Sequence, residues 1–326
     1  MNRRTLLKLI ALGALPASAA AQQPAKAWRI GFLYGGLRQS ALDTGRYRAF
    51  LQGMRELGYV ENKNFTLIER YSPNAESALP AAQEVLNAQP DVVLVSGGTS
   101  LQALRKLTTT VPVVVAVSTD PVGQGIAENL ARPGKNFTGF AAFTADLFPK
   151  HVQLIKAALP RMSRLGILTN PQNPDHAALE KSVATAANDY GMRVHLMKVS
   201  AFREFEPAFA ELKRQKAEAL LILGDVFFVQ YFRQIAELCI KHRVISSYSS
   251  REYPDLGGFL SYGPNFRDHY RGAAKFIDKI LKGAKAGDLP FEQPTKLQLV
   301  INRSTAKALG MRIPDELVLR ADAMID

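Results

Sequence analysis

The chain has 326 residues, a formal net charge of +12, 47% hydrophobic and 21% charged residues. That mix belongs to a soluble globular protein with room for two domains, and it excludes a disordered or fibrous chain. The basic residues are interspersed with acids and form no stripe, so they describe a solvated surface and not a nucleic-acid footprint.

The first 23 residues differ from the rest. Arg3-Arg4 lead into an uncharged apolar run over residues 9–15, and small residues follow, Ala17-Ser18-Ala19-Ala20-Ala21. A positive head, a short apolar middle and an Ala-x-Ala site predict a signal peptide over 1–21, cleaved after Ala21. The run is too short to span a bilayer. The segment Asn2-Arg3-Arg4-Thr5-Leu6-Leu7-Lys8 also fits a twin-arginine signal, which exports folded cargo. The ordinary secretion route stays open. No cysteine lies near the cleavage site, so no lipid anchor is expected, and the mature protein is expected free in the periplasm. The single cysteine, Cys239, sits in an apolar stretch and reads as a small buried group.

After residue 27 apolar runs alternate with helical patterns. Strands are predicted over 28–34, 64–70, 91–95, 112–117 and 137–143, with helices over 43–57, 76–88, 99–108 and 123–130 between them. The rhythm restarts near residue 160. Strands over 164–169, 193–198, 219–223 and 244–248 alternate with helices over 175–190, 204–215 and 227–242. A strand over 257–262, a helix over 265–282, a strand over 297–301 and a helix over 304–309 close the chain. Strictly alternating strands and helices predict parallel sheets covered on both faces. The restart predicts an α/β protein of two Rossmann-like lobes with a cleft between them. A (β/α)₈ barrel fits the long insertions and the irregular end less well. The first lobe is expected over 26–141 plus 257–283, the second over 142–256 plus 284–326.

In open parallel sheets ligands bind beyond the carboxyl ends of the strands. The loops there carry small hydroxyl residues, glycines and two carboxylates: Ser96-Gly97-Gly98-Thr99-Ser100, Thr119-Asp120, Asn170-Pro171-Gln172-Asn173, Gly224-Asp225 and Ser249-Ser250. Ser96–Ser100 opens a predicted helix, where free N–H groups attract anions. A plain helix cap explains the same residues. Asp120 and Asp225 can accept an ammonium group or simply cap the helices that follow them. The five histidines form no spaced metal pair, and no nucleotide-cofactor motif is present. Ser304-Thr305-Ala306-Lys307 matches Ser-x-x-Lys without the motifs that accompany it in penicillin-binding enzymes. An enzyme is therefore not expected, nor a cofactor.

The chain resembles the periplasmic substrate-binding components of ABC transporters, in the branch with a type I binding-protein fold. The resemblance rests on Arg29–Leu33, Phe50–Tyr59, Pro90–Leu94, Thr119–Gly123, Leu130–Gly139, Gly258–Pro264, Gln293–Lys296, Val300–Asn302 and Ala306–Gly310. It implies two lobes joined by three crossings, a small solute in the cleft and an ABC permease as partner, the protein itself acting as a monomer. Members similar to this branch bind aromatic amino acids. By resemblance Ser96, Thr99 and Ser100 hold a carboxylate, Asp225 holds an amino group, and Asp120 lines the cleft; Gly97, Asn170 and Tyr262 are also expected to bind the ligand. Gly224-Asp225-Val226 stands where those binders have a more polar turn. A sensory subunit for a membrane receptor is the alternative role for the same fold.

Overall fold

Five apolar runs become parallel strands: β1 (Trp28–Tyr34), β2 (Phe65–Tyr71), β3 (Val92–Ser96), β4 (Val113–Ser118) and β5 (Phe137–Ala141). Their order in the sheet is β2-β1-β3-β4-β5. Successive side chains point to opposite faces of a strand, so a run apolar throughout can feed two cores. Val92 and Leu94 of β3 join Ile30, Phe32, Val114 and Ala116 on one face, while Val93 and Val95 join Leu33, Val113 and Val115 on the other. The computed structural model describes residues 27–142 and 147–326; the expected signal peptide over 1–21 lies outside the described residues.

The second sheet holds β6 (Arg164–Thr169), β7 (Arg193–Lys198), β8 (Ala219–Ile222), β9 (Ile245–Tyr248), β10 (Leu260–Gly263), β11 (Gln298–Asn302) and β12 (Ala323–Ile325). Its order is β12-β11-β10-β9-β8-β6-β7. The first five of these strands repeat the order of the first sheet, and β11 is added antiparallel to β10. Both lobes are therefore the same doubly wound unit, as the restart of the sequence pattern predicts.

Some elements differ from expectation. The helix predicted over 43–57 is two helices, Arg38–Asp43 and Arg46–Glu56, separated by Gly45 at φ +75°. The helix over 227–242 is split into Val226–Val229 and Phe232–His242. Residues 123–130 form turns and bends instead of a helix. The helices Phe148–Ala158 and Asp315–Arg320 were not anticipated.

The lobe boundaries also need correction. Residues 257–263 were assigned to the first lobe, yet β10 pairs with β9 and β11 in the second sheet. Residues 284–292 were assigned to the second lobe, yet they return to the first. There the Leu289 carbonyl accepts from Thr138 Oγ1 at 2.8 Å, and Phe291 is buried in the first lobe's core. The chain thus crosses between lobes three times: between residues 142 and 147, after Gly263, and between 292 and 298.

The helix Phe266–Leu281 closes the first lobe by burying Tyr270, Ala273, Phe276 and Ile277 against the sheet and the helix Arg46–Glu56. Gly53 makes this contact possible, because a Cβ there would stand 2.2 Å from the Arg271 carbonyl oxygen. Gly53→Ala is expected to cost about 3 kcal/mol through forced separation of the two helices. The midpoint of urea unfolding measures it, and an unchanged midpoint would show that the helices part freely.

Candidate functional site

Each sheet reverses its strand order once, between β1 and β3 and between β6 and β8. The crevices at these two switch points are where such sheets bind ligands, and here they face each other. A Cβ on Gly98 would lie 3.2 Å from Asn173 Oδ1, and one on Gly36 would lie 3.1 Å from Val226 Cγ1. The lobes are therefore closed on one another, around a cavity of which about 60 Å³ is open to water molecules.

The first lobe lines this cavity with Arg46, Ser96, Gly97, Gly98, Thr119 and Gln124. Gly97 has a φ of +104°, and a Cβ there would come within 2.9 Å of Gly35 Cα. Only glycine allows the two loops to touch. The helix that follows, Gly98–Leu107, has no side-chain cap on its N-terminus. Its first N–H groups therefore have no capping side chain, an arrangement compatible with an anion site.

The second lobe contributes Asn173, Asp175, Asp225, Tyr248 and Ser249. Asp225 is held tightly: its Oδ1 accepts from the Phe227 N–H at 2.8 Å, and its Oδ2 accepts from Asn170 Nδ2 at 2.9 Å and Asn173 Nδ2 at 3.1 Å. It is thus both a helix cap and a cavity wall. A carboxylate offers about four acceptor positions, so one remains for a ligand donor. His176 stands behind it, its Nδ1 accepting from the Asn170 N–H at 2.8 Å. Asn170 is buried and reaches the cavity only through Asp225.

Across the rim, Asp175 Oδ2 accepts from Thr119 Oγ1 at 2.7 Å and Gln124 Nε2 at 2.6 Å. These bonds join the lobes and exist only when they are shut. Asp175→Ala is expected to shift the protein toward open forms by about 1.5–3 kcal/mol. Small-angle scattering should then show a larger radius of gyration; an unchanged radius would show that the rim bonds do not hold the lobes together.

Deeper in the cleft, Arg46 Nε meets Glu252 Oε1 at 3.2 Å, also across the lobes, with the two side chains 3% and 0% exposed. Burial works against the Arg46 charge, but the Glu252 carboxylate keeps its pKa above the ordinary arginine value. Burial pushes the neighbouring Tyr34, Tyr248 and Tyr270 hydroxyls above the ordinary phenol range, so they stay protonated. The Ser249 hydroxyl is buried without a hydrogen-bond partner, while the Tyr34 hydroxyl lies beside Ser40 and Arg46 and the Tyr270 hydroxyl beside Ser96. Apolar walls come from Leu101, Val117, Val226, Val229 and Phe266.

Of the residues singled out by sequence, Ser96, Gly97 and Asp225 line the cavity. Four others do not. Ser100 is buried behind the loop, with its hydroxyl 2.6 Å from Ser72 Oγ. Thr99 lies in the first turn of the helix, outside the cavity lining. Asp120 is exposed and accepts from the Val122 and Gly123 N–H groups, as a turn residue does. Tyr262 packs on the second lobe's core, with its ring edge toward His151. Sequence reasoning missed Arg46, Gln124, Asp175 and Phe266. Thr119, Asn173 and Ser249 sat in quoted loops, so the strand-end rule pointed at them; Arg46 reads as an ordinary helix residue until the fold brings it to Glu252.

Comparison with known proteins agrees with this architecture. A structure of a conserved domain protein from Vibrio cholerae superposes with a TM-score of 0.83 at 24% identity, covering 92% of this chain and 100% of that one. The ABC domain in complex with L-Trp from Streptococcus pneumonia gives 0.81 at 22% identity, with the same coverage. In sequence, a tyrosine-binding protein of Clostridioides difficile is 21% identical over 81% of this chain and 76% of its own length. The fold is that of the type I periplasmic binding proteins. A family model described as ABC transporter substrate binding protein matches residues 38–325. From that match over nearly the whole described chain, the protein belongs to the ABC transporter substrate binding protein family.

Proposed function

We propose that this protein is exported, captures a small amino acid of the aromatic class by closing its lobes, and hands it to a membrane permease. The observation that carries the reading is the cavity itself: it is lined from both lobes and combines Asp175 and Asp225, Arg46, an uncapped helix N-terminus and apolar walls. An α-amino acid has the complementary groups, an ammonium, a carboxylate and an apolar side chain. Contacts made by both lobes at once exist only in the shut form, so the ligand shifts the equilibrium toward it. The tyrosine-binding relative and the L-Trp complex support the aromatic class. A TM-score of 0.62 to a ligand-free, open substrate binding protein from Clostridium difficile, against 0.81 to the L-Trp complex, supports closure as the working motion.

A thermal-shift screen of the natural L-amino acids tests the reading. Ligand at a hundredfold above its dissociation constant stabilises by about 2.7 kcal/mol, which raises Tm by several degrees. Phenylalanine, tyrosine or tryptophan is expected to do so, and a flat response to all amino acids would overturn it. Asp225→Asn keeps the shape and removes the charge, so it is expected to weaken the ligand by about 2 kcal/mol, roughly 30-fold. Equal affinity in calorimetry would remove Asp225 from the ammonium site.

A further inference from the structure

The geometry points to a carboxylate-binding pole centred on Arg46, with Ser96 and Ser249 as its hydroxyl donors. This rests on the amino-acid reading above and adds the residue that would choose amino acids over amines. Among the described residues lining the cavity, Arg46 is the only cation. Its pairing with Glu252 uses Nε alone, at 3.2 Å. The terminal N–H groups form the planar fork that matches a carboxylate. The guanidinium is kept in place by the Phe266 ring, 5.4 Å away, and the Tyr270 ring, 5.8 Å away.

Two hydroxyls complete the pole. Ser96 and Ser249 are 2% and 1% exposed and both line the cavity; the Ser249 Oγ has no hydrogen-bond partner, and the Ser96 Oγ has only the Tyr270 hydroxyl beside it. They come from opposite lobes, at the ends of β3 and β9. A buried hydroxyl without a partner costs free energy, so Ser249 stands ready for a group that arrives with the ligand, and Ser96 has hydrogen-bonding capacity left beyond Tyr270. The Ser96 side leads directly into the uncapped helix N-terminus at Gly98. A carboxylate placed here would touch both lobes and answer a guanidinium, two hydroxyls and a helix end at once. The rest of the lining carries acids, Asp175 and Asp225, and suits the ammonium. Ligands bearing only one of the two charges would satisfy only half the cavity.

Calorimetry on the wild-type protein first tests whether the cavity reads a carboxylate at all. L-Tyrosine and L-tryptophan are compared with tyramine and tryptamine, which keep ring and ammonium but lack the carboxylate. The amines are expected to bind at least 100-fold more weakly than their parents. Arg46→Lys keeps a cation beside Glu252 but loses the fork. It is expected to lower amino-acid affinity 10- to 100-fold more than it lowers amine affinity. Amines that bind wild type as tightly as their parents overturn the pole while leaving the amino-acid reading intact. An Arg46→Lys protein that loses both ligand types equally also overturns it, because Arg46 would then act only as a brace between lobes. Failure of every natural amino acid to bind the wild type overturns the amino-acid reading together with the pole. Should Arg46→Lys not fold, the double variant Arg46→Met with Glu252→Leu, which removes both charges of the pair, is expected to lose the preference for amino acids over amines, and an undiminished preference overturns the pole.

Discussion

Lowering the pH from 7.5 to 5 is expected to remove about 4 kcal/mol of stability, about 2 from each of two buried histidines. His151 lies under the second sheet, with Nδ1 2.7 Å from Ser247 Oγ and Nε2 without a partner. His269 lies between the rings of Phe140 and Phe266, and neither of its nitrogens has a partner. Burial pushes both pKa values down to about 4 from an ordinary 6.5. The folded protein thus keeps both imidazoles neutral, while the unfolded chain takes up protons as soon as pH falls below about 6.5. Stability is full above that value and is lost as pH drops toward 4, by up to about 3 kcal/mol per histidine. Urea titrations at the two pH values measure the difference. Replacing His269 by Phe, a neighbour in kind to the rings around it, should remove about half of the pH dependence. Equal midpoints at pH 7.5 and 5 would mean that the imidazoles are accessible to protons in the folded state.

The second large effect concerns the buried pair of Arg46 and Glu252. Glu252→Gln leaves a guanidinium without its counter-charge, which costs about 3–5 kcal/mol in a closed interior. Because the pair spans the lobes, this protein has an escape that a single core lacks. Opening returns Arg46 to water, so part of the penalty should appear as a population of open molecules instead of unfolded ones. Scattering is expected to show a larger radius of gyration, and calorimetry a weaker ligand. The double variant Arg46→Met with Glu252→Leu replaces the pair by apolar groups and should recover the closed form, since such swaps are close to neutral. A Glu252→Gln protein with unchanged melting and scattering would show that the charge is satisfied by other groups.

The architecture was largely legible in the residues. Runs such as Val92–Ser96 and Ala219–Ile222, apolar at almost every position, admit only strands buried on both faces, and these are central strands of the two sheets. The late chain was harder. The segment 257–263 precedes a helix of the first lobe, and its pairing with β9 and β11 is a long-range fact that local pattern does not carry. The site was legible where it follows strand ends, as at Ser96, Gly97 and Asp225. It was opaque where a helix side chain travels, as with Arg46, or where the chosen neighbour in a loop was the wrong one. Thr119 faces the cleft and Asp120 faces solvent, one residue apart. Tyr262 is partly buried and packs against the second lobe's core, a placement that its segment's likeness does not reveal.

The repeated crossings have a consequence for how the chain matures. The first lobe lacks one whole layer until the helix Phe266–Leu281 has been made, since Tyr270, Phe276 and Ile277 cover the sheet from that side. The second lobe waits for β11 and β12 at the far end. Neither half can finish on its own while the ribosome is still at work. Acquisition of the native state is therefore expected late in synthesis, and a product stopped after Gly263 would leave part of one apolar sheet face, beside the helix Arg46–Glu56, uncovered and be a substrate for chaperones and proteases.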